Sequence, residues 1–443
     1  DALTSGDNTV AIGYQAGTAL TVGADNTFVG AYAGAATVDG AGNTCVGNGA
    51  GQLGNMTNGH NTLIGYVSGQ DLAAGQKNVF IGEASGKEAT SSDNSVVIGY
   101  NAVSTGVMTG NQNTIVGAES GANMTSGATN TVFGPFALKE CTTGSKNIAV
   151  GSDAVRYPDT EGNNIGIGFQ ALGGTGVAGG EFNIAIGNNT LDALTSADNN
   201  TAIGHETASA LTTGSSNVVV GQASAFHLTT GIGNTIIGRL AAENLDSGNN
   251  NTCIGRDAGS SYIGSGEQCT IVGQGSRPHS SADNESNTSV FGAGITSGQG
   301  NEVHIGNTSV TAIKGQVSFS TYSDERIKKD IIDTDLGLEF VNKLKPRKFK
   351  RRDPAEYADI FEDGNKEPIK EKEKDNVFDG LIAQEVEAVC NELGVSFSGH
   401  KVAYSSKQSI EYSTLTIPLI KAVQELSAQV TTLQQEINTL KGE

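Results

Sequence analysis

Asn61-Thr62-Leu63-Ile64-Gly65 is one copy of a unit that recurs along most of the chain. Close variants are Asn26-Thr27-Phe28-Val29-Gly30, Asn113-Thr114-Ile115-Val116-Gly117, Asn234-Thr235-Ile236-Ile237-Gly238 and Asn251-Thr252-Cys253-Ile254-Gly255. The closing glycines run from Gly13 to Gly306 in steps that are almost always 17 or 18 residues, which gives about 18 copies. A strand this short, rich in β-branched side chains, cannot bury an apolar face alone; it must stack on copies of itself. The reading is a solenoid whose Ile/Val positions form a continuous inner ladder. The Asn at each strand start should ladder amide to amide with its neighbours. Gly closes each strand because the chain must turn there with φ > 0. Small pairs that follow, such as Ala16-Gly17, Ala33-Gly34, Ala50-Gly51 and Ala258-Gly259, fit where backbones approach closely. Coils about 4.8 Å apart would make a rod of roughly 85 Å.

The bulk composition agrees. The chain has 443 residues, with 61 glycines, no Trp and 5% aromatics. No Gly-X-Y triplet runs through it, so it is not collagen. Its Gly is interleaved with Val, Ile and Ala, so it is not a disordered polymer. The formal net charge is −20, of which −15 falls before Ser318 (nine basic and 24 acidic residues). A Lys-poor, acidic shaft argues against a nucleic-acid partner, which needs phosphate-neutralising Lys and Arg. It is compatible with a glycan or protein partner. Cys45, Cys141, Cys253, Cys269 and Cys390 are scattered and odd in number, which speaks against a disulfide framework or a zinc site. Cys45, Cys253 and Cys269 read as small buried hydrophobes in positions that elsewhere carry Val, Ala or Ile. No stretch approaches the roughly 18 apolar residues of a membrane helix, so no membrane insertion is expected. The sequence opens on Asp1 rather than Met, and an attachment domain is expected ahead of it.

Three chemistries are conceivable for the repeat. Calcium is disfavoured because the Gly-Gly-x-Gly-x-Asp pattern is absent and Asn outnumbers Asp. Glycoside hydrolysis needs two carboxylates; Glu83, Glu119, Glu181 and Glu206 are isolated in sequence and name no pair. His304, brought together three times about an axis, is the remaining metal candidate, while His60, His205, His227 and His279 show no ligand spacing. No cofactor and no metal is expected.

The period breaks at Gly306. A connector over 307–322 alternates apolar residues at Val310, Ala312, Val317 and Phe319, which predicts short strands. After Tyr322 the composition turns charged and helical. Ser323-Asp324-x-Arg326-x-Lys328 comes first, then a helix or turn near Asp335–Val341, then Leu344-Lys345-Pro346. A charged loop over 351–375 leads to Gly380-Leu381-Ile382-Ala383-Gln384-Glu385-Val386, read as a strand entering an amphipathic helix. Leu419, Val423, Leu426, Val430, Leu433, Ile437 and Leu440 form a heptad seam on a helix from about residue 414. Val at a with Leu at d is the pattern of a two-stranded coil.

These motifs carry two resemblances. The strand unit, best at Asn8-Thr9-Val10-Ala11-Ile12-Gly13 and Asn183-Ile184-Ala185-Ile186-Gly187, resembles the β-roll repeat in the heads of trimeric autotransporter adhesins. Residues 323–443 resemble the intramolecular chaperone domain of phage tail spikes and fibres, the peptidase S74 family, with the three motifs matching in order. That resemblance implies a homotrimer whose C-terminal α+β domain nucleates folding of the β-fibre and then cuts itself off. The family's nucleophile falls on Ser323 and its base on Lys328. Cleavage is implied beside Ser323, with Tyr322 and Asp324 as neighbours of the cut and Arg326 as motif support. Five residues on an ideal helix leave Ser323 and Lys328 some 140° apart, so a turn or a partner chain must join them. Arg326, Lys329 and burial at an interface would favour the neutral amine. The competing reading makes Lys328 a solvated charge and Ser323 a helix N-cap. The whole chain then reads as a virion tail fibre that binds a host-surface receptor, glycan or protein; a bacterial trimeric adhesin and a glycan depolymerase spike are the alternatives.

Overall fold

The computed structural model describes residues 8–174, 180–260, 264–277, 286–296, 300–307, 309–310, 312–316, 323–352, 356, 375–402 and 408–442. It divides into two compact units, Asp1–Ile305 and Gly306–Glu443.

The first unit is a parallel β-solenoid. Eighteen three-residue strands, from β1 (Val10–Ile12) to β18 (Val303–Ile305), form one sheet in which each pairs in parallel with the next. The register never slips: Thr27 lies beside Thr44, Thr44 beside Thr62, Thr235 beside Thr252. The closing glycines take φ between +128° and +150° from Gly13 to Gly292. A Cβ on Gly65 would sit 2.4 Å from the Gly82 carbonyl oxygen of the next rung, so no other residue fits there.

The Asn ladder is the spine of this unit. Asn217 donates from Nδ2 to Asn200 Oδ1 (3.0 Å) and to the Gly231 carbonyl (2.8 Å). Its own Oδ1 accepts the backbone N–H and the Nδ2 of Asn234, both at 3.0 Å. Each buried amide therefore satisfies itself and a main-chain donor on the following rung, as a dry core requires. Ser95 replaces Asn once and still accepts the Asn113 N–H at 3.2 Å. Cys269 stands in this same column, its N–H donated to Asn251 Oδ1, and not in an aliphatic position as expected.

The inner ladder is also displaced from the expected position. Because Asn points inward, alternation along a strand sends the next inward side chain two residues on. The middle residue is thus the core one: Phe28, Leu63, Phe80, Ile115 and Ile236 are buried, while the Ile/Val before each glycine is half-exposed. Those outward residues form two columns without a single charge or amide over all eighteen rungs.

At several rungs the core fills by size matching six residues apart. Phe28 faces Gly34, Leu63 faces Gly69 and Phe80 faces Gly86, where an added Cβ would meet the ring or methyl at 2.6–2.7 Å. Where the strand centre shrinks to Ala149, Gly166 or Ala185, the partner grows to Val155, Leu172 or Leu191. The Ala-Gly pair does lie where backbones approach closely, Gly17 N–H donating to the Ala33 carbonyl and Gly34 N–H to Ala50 at 2.9 Å, and its glycine also leaves room for a core side chain such as Phe28. All five cysteines are free and buried. Burial pushes the Cys45 and Cys141 thiols up to about 12.

Between Asn307 and Gln316 the described residues form no strand, and Val317 and Phe319 lie outside the described residues. In the second unit, helix α1 (Leu338–Lys343) precedes an antiparallel pair, β19 (Arg347–Phe349) with β20 (Phe378–Gly380). Helix α2 (Ala383–Leu393) and a second pair, β21 (His400–Val402) with β22 (Gln408–Ile410), follow. Helix α3 (Thr416–Lys441) closes the chain behind a 3-10 turn at Tyr412–Leu415. Leu336, Phe340, Val386, Val389, Cys390 and Phe397 make the core. Glu425 of α3 accepts the Leu338 N–H at 2.7 Å and so caps α1. Arg347 grips Glu385 with two bonds, 2.6 and 3.0 Å, and tethers β19 to α2. On α3 only Pro418 and Ala422 are buried; the heptad seam from Leu419 to Leu440 is exposed.

Candidate functional site

The stretch from Ser323 to Lys328 folds as a tight local turn. Asp324 (φ −70°, ψ 134°) accepts the Arg326 N–H at 2.9 Å and caps a one-turn 3-10 helix, Glu325–Ile327. The turn then breaks, because Lys328 is extended (φ −109°, ψ 148°). This reversal carries the Lys328 side chain back across the turn. Its Nζ donates to Ser323 Oγ at 2.7 Å. The two residues that an ideal helix would hold apart are in hydrogen-bond contact, and they belong to one chain.

Asp324 has a second task. Its carboxylate takes a two-point ion pair from the Arg326 guanidinium, Nε to Oδ1 at 2.9 Å and Nη2 to Oδ2 at 2.6 Å. That side-chain bond, with the backbone one beside it, holds the Asp324 carboxyl below its usual range and raises Arg326. The Arg326 charge, expected beside Lys328, is paired with Asp324. Lys329 likewise lies 3.9 Å from Asp330. The N-cap is Asp324, not Ser323, which leaves the Ser323 hydroxyl to the lysine. Tyr322, the expected neighbour of the cut, lies outside the described residues.

Among the described residues nothing covers this turn. Ser323 through Asp330 are exposed, and so are Ile327, Ile331 and Ile332, the last at 89%. Three large isoleucines beside the dyad were not singled out by sequence reasoning. The signal was available as apolar residues in an otherwise charged run.

The shaft candidates separate. Glu119 is paired with Lys139 (2.8 Å) and Glu206 lies 3.6 Å from His205, while Glu83 and Glu181 are exposed. His304 occupies the inward column, in register with buried Val290, and meets Glu302 at 2.7 Å. An inward residue faces its own coil, so three copies of His304 would not converge on an axis. His227 Nδ1 contacts the Glu243 carbonyl, and His279 is outside the described residues. Among the described residues no cluster of three or more His, Cys, Asp or Glu could hold a metal ion. No described helix is long and apolar enough to cross a membrane.

Comparison with known families places residues 323–395 in the peptidase S74 domain, described as the chaperone of endosialidase. The matched segment begins at Ser323 and runs through α1, both strands of the first pair and α2. No curated protein is significantly similar to the chain. A long β-solenoid of 17-residue rungs followed by a domain of this family fits a tail fibre with a C-terminal chaperone.

Proposed function

We propose that this chain is the shaft and assembly device of a homotrimeric phage tail fibre or spike, and that it cuts itself beside Ser323. One observation carries the reading: the matched domain opens on a serine whose hydroxyl is 2.7 Å from a lysine ammonium. In the reaction, neutral Lys328 takes the Ser323 proton as Oγ attacks the carbonyl of a flanking peptide bond. The protonated lysine then returns that proton to the leaving amine, and water releases the ester. A lysine works this way only when it is uncharged, and burial disfavours the charged form. The described residues leave the turn exposed, and covering by partner copies would couple cutting to assembly.

Two apolar surfaces support association. The α3 seam presents Leu419, Val423, Leu426, Val430, Leu433, Ile437 and Leu440 to solvent, and the outward strand columns present uncharged β-branched residues rung after rung. Unpaired surfaces of this length are unusual on a monomer. A virion location and attachment to a host surface follow from the fibre reading.

The test is the mass of freshly expressed wild-type chain against Ser323→Ala and Lys328→Ala, all denatured, with sedimentation of the native proteins. The expected result is a wild-type chain split beside Ser323, two intact variants and trimers in all three. An intact wild-type trimer removes the cleavage; monomers throughout remove the fibre.

A further inference from the structure

We propose that one corner of the solenoid, the two residues after each closing glycine in the first ten rungs, is a binding track for an extended, uncharged polysaccharide. This rests on the attachment reading and gives it a place and a ligand class. The two columns at that corner are locked in register by the main chain. Tyr32 N–H donates to the Tyr14 carbonyl, Glu119 N–H to Tyr100 and Asn189 N–H to Phe169, at 2.8–2.9 Å.

From the second rung to the tenth, aromatic residues occupy every second rung, Tyr66, Tyr100 and Phe169 as the first residue after Gly65, Gly99 and Gly168, and Tyr32 and Phe136 as the second after Gly30 and Gly134. The rungs between carry Asn48, Glu83, Glu119 and Asp153. The alternation therefore repeats every two rungs, about 9.6 Å, with about one pyranose ring of an extended chain to each rung. Tyr66 is 56% exposed and Tyr100 52%. Tyr14 extends the track, its ring edge-on to Tyr32 at 5.3 Å.

A pyranose has an apolar face of C–H bonds and a rim of hydroxyls. An aromatic ring offers a flat apolar partner for the first, and carboxylates and amides accept from the second. The strand columns next to this corner contain neither aromatic–acid alternation nor any charge, which is the chemistry of a contact between copies. The corner mixes rings with hydrogen-bonding groups, which is the chemistry of recognition.

Charge selects the polymer. At Phe136 two cations lie against the ring, Lys139 at 5.2 Å and Arg156 at 5.7 Å. Both are engaged by acids of the same track, Lys139 by Glu119 and Arg156 by Asp153. No positive charge is left over there for a polyanion, and the shaft is strongly acidic. Beyond Phe169 the alternation ends and His205, Gln222, Arg239 and Arg256 take the first column.

The experiment uses the full chain and three linear neutral probes, cellohexaose, maltohexaose and chitohexaose, with their disaccharides and a hyaluronan hexasaccharide as the anionic control. Titration calorimetry is followed beside tyrosine fluorescence, which no Trp obscures. The expected result is binding of at least one neutral hexasaccharide, roughly tenfold or more tighter than its disaccharide. Tyr66→Ala and Tyr100→Ala should each weaken it by roughly tenfold, Tyr66→Phe should retain it, and Leu53→Ala should change nothing. Absence of binding to all three neutral probes overturns the proposal, as does binding indifferent to both alanine variants or a preference for hyaluronan. If either alanine variant abolishes the trimer, the column is an intersubunit contact and the proposal also falls. A trimer that assembles without binding saccharide leaves the fibre reading intact; saccharide binding by a monomer does the reverse.

Discussion

Replacing Phe80 by Ala should be rescued by a second substitution six residues away, Gly86→Leu, and this pair tests how the solenoid core is filled. Phe80 is fully buried, and truncating such a ring costs about 3–5 kcal/mol. Gly86→Leu alone should also be harmful. Its Cβ would lie 2.6 Å from Phe80 Cδ2, an overpacking of about 1–3 kcal/mol, and its φ of +58° adds about 1 kcal/mol for an L side chain. Added independently, the two changes would cost about 5–9 kcal/mol. The double variant instead reproduces the arrangement of Ala185 with Leu191, which the same chain already uses at φ +52°. The remaining cost is then about 2 kcal/mol, a coupling of about 3 kcal/mol or more. Native-state hydrogen exchange, followed by mass spectrometry on peptides spanning Val79–Gly86, reads the local opening energy without assuming a two-state transition. A double variant whose protection falls by the sum of the single losses would refute six-residue size matching.

Two further outcomes follow from the same geometry. Asn217→Ala removes the acceptor of the Asn234 N–H and the donor to the Gly231 carbonyl; it should cost about 2–4 kcal/mol locally, with Asn217→Ser milder, as hydrogen exchange at the Asn234 rung would show. In the C-terminal unit the Arg347 pair holds the Glu385 carboxyl below its usual range, so its stabilising contribution is complete at neutral pH and is lost as pH falls through that depressed value. Arg347→Ala should therefore lower the thermal midpoint of this unit at neutral pH and leave it unchanged in strong acid; an equal loss at both would show that the pair acts only by packing.

The sequence carried the period, the strand and the Asn column openly, because each repeats many times at one spacing. It did not carry the phase of the strand. In Asn-Thr-x-Ile-Gly the strongest hydrophobe is the Ile, and hydrophobicity alone turns it inward; the buried amide of Asn settles the alternation and places x inside. Cys253 and Cys269 illustrate the difference, since one is an inward strand centre and the other a substitute in the Asn column. The size matching of Phe80 with Gly86 was visible only as an Ala-Gly habit, since a glycine does not name what fills the space it leaves. At the dyad, the need for a turn between Ser323 and Lys328 was legible from helix geometry. The partner of Arg326 was not, because a guanidinium two residues from both a carboxylate and a lysine could have faced either.

The last rung has a consequence for polymerisation. The edge of a terminal parallel strand is in general a template on which a rung of another molecule could grow, as in amyloid. The other rungs present small or aliphatic groups or Phe at the core position, so a cut anywhere along the stack would leave an end that accepts more of the same. At β18 the core position is His304, in contact with Glu302 at 2.7 Å, and an incoming aliphatic rung would have to bury these polar side chains. A polar core rung of this kind disfavours continuation of the stack past β18.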